Sequence, residues 1–362
     1  MRTQGGYHGR RIQKTGGSTF IVSLPKSWVV SRNLGAGDVL QFAPRPDGSL
    51  LLYTDTGPGA EPTKRTIVVS NDSSADHLFR RLVAEYIAGA PLLEIRTSGR
   101  MNARTREVVR GFAQRMIGPE ILEETSEAVL LQDVVGANPL PIPQVIRRMH
   151  QMVRAMHADA MAAFRAQDAG IAKDVMERDW EVDRLHWFVQ KQVTTALRDA
   201  RTLTSLGLTL PECATYLQVS KVMERIADHA VRIANTVSVF GKERPPAQVV
   251  GELEGLAARA ASALATAVDA LETRAIDEAN GVVDDAEALA RQREKVLHEL
   301  ASKRGRVAVG LAYVLESLER SALYAADLAE IAINYAVEHG VGREPATGGA
   351  RPENRSLTAS AS

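Results

Sequence analysis

Apolar and polar residues recur with two different periods along this chain, and the switch between them divides it. Between Arg11 and Tyr53 the apolar residues come in short runs, Ser18 to Ser23, Val39 to Phe42 and Leu50 to Tyr53, separated by Gly16-Gly17, Gly35-Ala36-Gly37-Asp38 and Pro46-Asp47-Gly48. Short runs bounded by such turn formers predict three strands. Pro25 to Val30 predicts one helical turn opened by proline. Three short strands bury too little apolar surface to stand alone, so this module is expected to dimerise.

After a Gly/Pro/Glu linker from Thr56 to Thr63, strand and helix patterns alternate. Thr66 to Val69 predicts a strand, and Ser74 or Asp76 caps a helix that runs to Ile87 and stops at Gly89. Leu92 to Arg96 predicts a strand, Arg104 to Met116 a helix, and Val129 to Val134 a strand. Glu120, Glu123 and Glu124 read as a solvated helix or turn. The alternation predicts a small α/β domain closed by the proline-rich hinge Asn138 to Pro143. From Pro143 to about His339 the apolar period becomes 3.6, with stripes at Met149, Met152, Val153 and Met156 and at Met223, Ile226, Ala230, Ile233 and Val237. Methionine at this spacing fills cores. Gly207 with Pro211, Gly241 with Pro245-Pro246, and Gly305 mark turns between helices.

The helical part reads as a duplication. The segment Val175 to Asp183 and the later Met223 to Ala230 have counterparts in Val282 to Ala290 and Leu318 to Leu323. Two three-helix units, about 143–241 and 250–339, are the economical reading. The expected fold class is therefore multi-domain: a small β-rich module (1–55), a small α/β domain (65–137), an all-α bundle of two three-helix repeats (141–340), and a tail (341–362) whose Pro, Gly, Ser and Ala predict disorder.

Composition changes this picture in two places. With 44 basic and 44 acidic residues the formal charge is zero. Yet no acidic residue precedes Asp38, whereas Arg2, Arg10, Arg11, Lys14, Lys26 and Arg32 all do. Such a segregated patch attracts polyanions while the molecule stays neutral. The one cysteine, Cys213, excludes an intramolecular disulfide and suits a reducing compartment, and reads as a small buried residue. No apolar run approaches the ~20 residues that cross a bilayer, and no signal-like apolar core follows the basic N-terminus, so a cytoplasmic location is expected.

Two carboxylate pairs are the strongest chemical candidates: Asp179 with Asp183, and Glu224 with Asp228, each four residues apart on a predicted helix. Residues at that spacing share a helix face, where like charges repel by roughly 0.2–0.5 kcal/mol. A cation held between the two helices would relieve this, since hard and borderline cations accept carboxylate oxygens. The plainer alternative is a solvated acidic face crossed by Arg178, Arg184 and Arg225. Glu224 and Asp228 fall outside the apolar stripe of their helix and are expected to face water, with His186 and His229 as polar neighbours. A di-metal oxidase would need Glu-x-x-His on two helices, and none occurs. Nucleophilic-serine, phosphate-loop and dinucleotide fingerprints are missing from their required contexts, so no enzyme is expected.

Glu224-Arg-Ile-Ala-Asp228-His-Ala, preceded by Asp179-Trp-Glu-Val-Asp183-Arg-Leu, resembles the PhoU family of phosphate-uptake regulators. That resemblance implies two three-helix repeats whose acidic motifs bind metal, and makes Asp179, Asp183, Glu224 and Asp228 ligands of a divalent or trivalent ion, iron or zinc. The second repeat departs from the motif: Ala286, Ala290 and Leu323 replace acids, leaving Glu319 and a displaced Asp327. Arg11-Ile-Gln-Lys14, Phe20 to Lys26 and Leu34 to Leu40 resemble the swapped-hairpin DNA-binding domains of the AbrB/SpoVT type. By that resemblance the module interlocks as a homodimer, and Arg10, Arg11, Lys14, Lys26 and Arg32, with the Ser18 hydroxyl, contact DNA phosphates. The complete order of domains is similar to archaeal phosphate-uptake regulators. It implies a phosphate-responsive regulator with DNA, phosphate-transport or signalling proteins and metal-held inorganic phosphate as partners. Its alternatives are a DNA-binding factor whose bundle is a metal-free oligomerisation scaffold and, further off, a di-metal carboxylate enzyme.

Overall fold

The computed structural model describes residues 9–44, 48–54, 64–135, 140–241, 243–300 and 305–341, with side chains in part over 287–300. The expected linker, Asn138 and Pro139 of the hinge, and the tail beyond Val341 lie outside the described residues. Two compact units emerge, one of residues 1–138 with 194–207, the other of 139–193 with 208–362. Among the described residues no helix is long and apolar enough to cross a membrane.

The first unit begins with two separate hairpins. β1 (Gln13–Thr15) pairs antiparallel with β2 (Thr19–Ile21) across Gly16 and Gly17, both at positive φ. Helix α1 (Lys26–Ser31) follows Pro25, and β3 (Leu40–Pro44) pairs with β4 (Leu50–Thr54). Four strands therefore stand where three were expected. β1 was hidden because Gln13-Lys14-Thr15 carries no apolar residue. None of the described residues between 9 and 54 is buried, so this module has no core of its own.

The rest of that unit is a two-layer α/β domain. β5 (Lys64–Val69), α2 (Ala75–Ile87), β6 (Leu92–Thr97), α3 (Ala103–Arg115), β7 (Pro119–Glu124) and β8 (Ala128–Asp133) follow in order, and the sheet runs β5-β6-β8-β7. Only β5 and β6 are parallel. Alternate strand residues Ile67, Val69, Leu93, Ile95, Val129 and Leu131 are buried, as are Leu78, Leu82, Val109 and Phe112 of the helices. The acidic Glu120, Glu123 and Glu124 form the edge strand β7 instead of a helix or turn. Its register slips between Ile121 and Glu123, and only Pro119 is buried, which erased the strand period. Charges and a bulge on an edge also deter pairing with another chain. Gly89 ends α2 at φ 71°, and a Cβ there would meet Thr195 Oγ1 at 2.8 Å, so only glycine fits. Beside it Arg198 donates to the Ala88 carbonyl at 2.9 Å.

The second unit is all-α: α4 (Ile142–Ala166), α5 (Ala169–Ala196, whose last turn leads into the first unit's α6, Ala200–Leu206), α7 (Leu210–Phe240), α8 (Ala247–Thr273), α9 (Ile276–Leu300) and α10 (Gly305–Glu338). α10 packs on α7, α8 and α9, and α4 on α7. The α7 stripe is wholly buried, and so are Met149, Val153, Met156 and Cys213, whose thiol is pushed up to about 11 by burial and then by the Glu212 charge. Thr209 and Glu212 form a reciprocal cap at the start of α7. The breaks between α4 and α5 and between α8 and α9 were absent from the expected turns. They are made by Gln167 (φ 54°) and Arg274 (φ 61°), non-glycine residues in the left-handed region, so no glycine or proline announced them.

On the face of the sheet away from α2 and α3, Glu94 is buried and accepts from Lys64 (2.9 Å), Thr66 (2.9 Å) and Arg96 (3.1 Å). Lys64 foremost holds its carboxyl down to about 2 against the opposing effect of burial. A lowered carboxyl contributes stability above its unfolded value near 4.5 and loses it as pH falls toward 2. Glu94→Gln is expected to cost about 1–3 kcal/mol at neutral pH, with the gap to wild type closing below pH 4.5 in denaturant titrations. A second prediction concerns Gly310, where an added Cβ would lie 2.6 and 2.7 Å from the buried ring of Phe240. Gly310→Ala should therefore destabilise by roughly 1–3 kcal/mol by overpacking, despite alanine's better helix propensity.

Candidate functional site

Helices α5 and α7 lie side by side, tied by His186 Nδ1 and Ser220 Oγ at 3.0 Å. Apolar residues one or two positions away on each helix face inward: Val182 and Leu185 on α5, Met223, Ile226 and Ala227 on α7. That rotation turns Asp179 and Asp183 of α5 toward Glu224 and Asp228 of α7. Burial first, then the Asp228 and Glu224 charges, raise the Asp179 carboxyl to about 6. Asp183 rises to about 7 through burial and then the charges of Asp179, Glu224 and Asp228, with Lys221 opposing. Asp228 is raised by burial and then by Glu224, against Arg225, Lys221 and Arg232. The two pairs therefore lie near enough for the charges of one helix to be felt on the other. The structure also corrects their setting, because each is half-buried between the helices and does not simply face water.

The surrounding cations are largely engaged elsewhere. Arg178 pairs with Asp159 and Arg184 with Glu181, so two of the three arginines expected to cross this face do not neutralise it. Lys221 does: its Nζ donates to Glu224 Oε2 at 2.7 Å, with Arg225 3.8 Å away. That partner went unread, although Lys221-x-x-Glu224 has the spacing of a helical ion pair. Of the two histidines expected beside the acids, only His186 feels one of their charges, that of Glu224. His186 is buried and depressed to about 4, mainly by burial. His229 turns away from the acids toward Tyr324, 5.8 Å between ring centroids, and is likewise lowered to about 4 by burial. Its Nδ1 is buried without a hydrogen-bond partner among the described residues.

All four candidate ligands are hard oxygen donors, a set suited to a hard cation rather than to soft-ligand metals. Among the described residues no three His, Cys, Asp or Glu side chains converge closely enough, as they stand, to hold an ion. In the other half of the unit Glu319 is paired with Arg293 at 2.9 Å, and Asp327 is raised by burial and by Glu330. Among the described residues no three acids converge around Ala286 and Leu323 either.

The residues expected at DNA are exposed without exception: Arg10, Arg11, Lys14, Ser18, Lys26 and Arg32. Ser18 sits in the β1–β2 turn and Lys14 lies directly opposite Phe20. The same module exposes Ile12 (72%), Phe20 (68%), Val39 (71%) and Phe42 (57%), an apolar surface that a folded module of this size would normally cover.

Known proteins resemble part of this chain. The PhoU domain model matches residues 146–237, a stretch that includes all four carboxylates. A phosphate-specific transport system accessory protein PhoU homolog from Zymomonas mobilis is 31% identical over 118 residues, 32% of this chain and 46% of that protein. The chain therefore spans about half the length of this relative. Crystal structures of PhoU from Pseudomonas aeruginosa (21% identity, 55% of this chain and 96% of that one, TM-score 0.49) and of the phosphate transport system regulatory protein PhoU from Streptococcus pneumoniae (19%, 54% and 94%, TM-score 0.47) are also similar.

Proposed function

We propose that this protein is a regulator of phosphate uptake in which a carboxylate cluster between α5 and α7 holds a metal ion and the N-terminal module binds DNA as a homodimer. The observation that carries the reading is the nearness of Asp179, Asp183, Glu224 and Asp228, inside the residues that match the PhoU domain. Their mutual repulsion in a half-buried setting is what a cation relieves. When bound, such an ion offers open coordination positions to phosphate oxygens. The residues' own part is to supply negative oxygens from two rigid helices and to exclude part of the solvent.

The N-terminal half of the proposal rests on exposed cations free of nearby acids and on an apolar surface without a core. A second copy of the module covers that surface most economically, bringing both basic sets onto one side for a polyanion. The name of the Zymomonas relative supports phosphate transport as the process. Transport or signalling proteins are then the partners, and no catalysis is assigned. One observation favours a second reading: Lys221 already compensates Glu224, so the bundle can stand as a metal-free scaffold behind the DNA-binding module.

Metal content separates these readings, and two further outcomes test the repulsion and the DNA binding on which they draw. Elemental analysis of purified protein is expected to find a bound metal that the double variant Asp179→Asn, Glu224→Gln loses; equal metal content in both proteins leaves the scaffold reading. In chelator-treated protein Asp183→Asn should be at least as stable to urea as wild type, because it removes a charge that burial and three carboxylates oppose. A loss above about 1 kcal/mol would contradict that repulsion. DNA affinity is expected to fall on the order of 1,000-fold between 50 and 200 mM salt for roughly six phosphate contacts. Lys14→Ala should flatten that salt slope by about one per site, and an unaltered slope would remove Lys14 from the interface.

A further inference from the structure

A cavity of about 120 Å³ opens where the first turns of α4, the second turn of α7, the end of α8 and the last part of α10 meet. Its floor is aliphatic: Ile146, Val268 and Leu271, all buried. Two tyrosines wall it, Tyr216 and Tyr335, with ring centroids 6.1 Å apart and planes at 57°. Tyr335 donates its hydroxyl proton to Glu212 Oε1 at 3.3 Å, an oxygen also 3.1 Å from His339 Nε2, so its ring is pinned. Burial and the neighbouring Tyr335 hydroxyl push the Tyr216 phenol well above its usual range, which keeps it a neutral donor.

The rim carries charge. Arg147 donates to Glu272 at 2.6 Å and the two cancel. Arg274 does not cancel: its Cζ lies 5.7 Å from the Tyr335 ring centroid, and it finds no carboxylate or carbonyl acceptor among the described residues. Its backbone is left-handed at φ 61°, a conformation that costs a non-glycine residue about 1 kcal/mol and sets this side chain at the cavity mouth. An apolar floor, aromatic walls and one uncompensated cation form the usual makeup of a small-ligand site between helices.

We propose that this cavity binds a single-ring organic monoanion of about benzoate size, its ring against Tyr216 and Tyr335 and its carboxylate on Arg274. The volume of about 120 Å³ limits the enclosed part to a single ring, since an apolar cavity of roughly 150 Å³ accepts benzene, and leaves the carboxylate at the mouth. The floor disfavours a bare inorganic anion, which would desolvate against Ile146 and Leu271 without a partner. Arg274 disfavours an amine. The cavity stands apart from the carboxylate cluster, so its ligand is independent of the metal reading.

The test is a titration of the full-length protein with benzoate, benzamide and benzylamine, followed by calorimetry or by chemical shifts. Benzoate should bind saturably, benzamide roughly ten-fold more weakly, and benzylamine not at all. Arg274→Ala should weaken benzoate by roughly ten-fold or more and leave benzamide unchanged. Val268→Phe should block benzoate and benzamide by filling the floor, and Val268→Ile, a smaller insertion less disturbing to the fold, should weaken both. Absence of saturable benzoate binding to wild type, equal binding by Arg274→Ala, or benzylamine binding as tightly as benzoate would each overturn the proposal.

Discussion

Close packing of α10 against α7, α8 and α9 is the constraint on which the helical unit depends. Helices approach that closely only where side chains are short, and α10 supplies Gly310, Ser317, Ser321, Ala322, Ala325, Ala329 and Ala332 along its buried surface. Gly310 accommodates the ring of Phe240, which in turn leans on Phe164 at 5.8 Å. With one side of α7 committed to α10 and α4, its remaining side is left for α5. Glu224 and Asp228 therefore meet Asp179 and Asp183 as a consequence of core packing, and the charges themselves oppose the meeting. A site assembled against its own electrostatics is held by apolar residues one or two positions away.

The two ends of the molecule are incomplete in opposite ways. The helical unit has a full core and an excess of half-buried negative charge between α5 and α7. The N-terminal module has exposed positive charge and, among the described residues, no buried one. Neither deficiency depends on the other, so each part can be judged by its own chemistry. The α/β domain has no such deficit: its buried carboxylate, Glu94, is saturated by three donors. That saturation leaves it without an evident binding role on that face.

Much of the fold was legible in the order of residues because periodicity reports burial. The change of apolar period at Pro143, the α7 stripe, the helix stop at Gly89 and the reading of Cys213 as a buried residue all follow from local pattern. Elements that bury nothing of their own escaped it. β1 is polar and β7 acidic, and both exist because a neighbouring strand offers hydrogen bonds. The turns at Gln167 and Arg274 escaped for a related reason, since helix packing imposes a left-handed residue where the local sequence prefers none.

For the site, spacing alone placed Asp179 with Asp183 and Glu224 with Asp228, because i and i+4 share a helix face whatever surrounds them. Spacing could not tell that the two faces meet, that burial lifts the aspartates so far, that His229 turns away, or that Lys221 sits closer to Glu224 than Arg225 does. Those facts depend on helix rotation and on contacts between residues distant in the chain. The residue order determined which groups can act together on one helix, since that is a property of 3.6 residues per turn; only the tertiary packing decided which helices share a site, since that is a property of the core they bury in common.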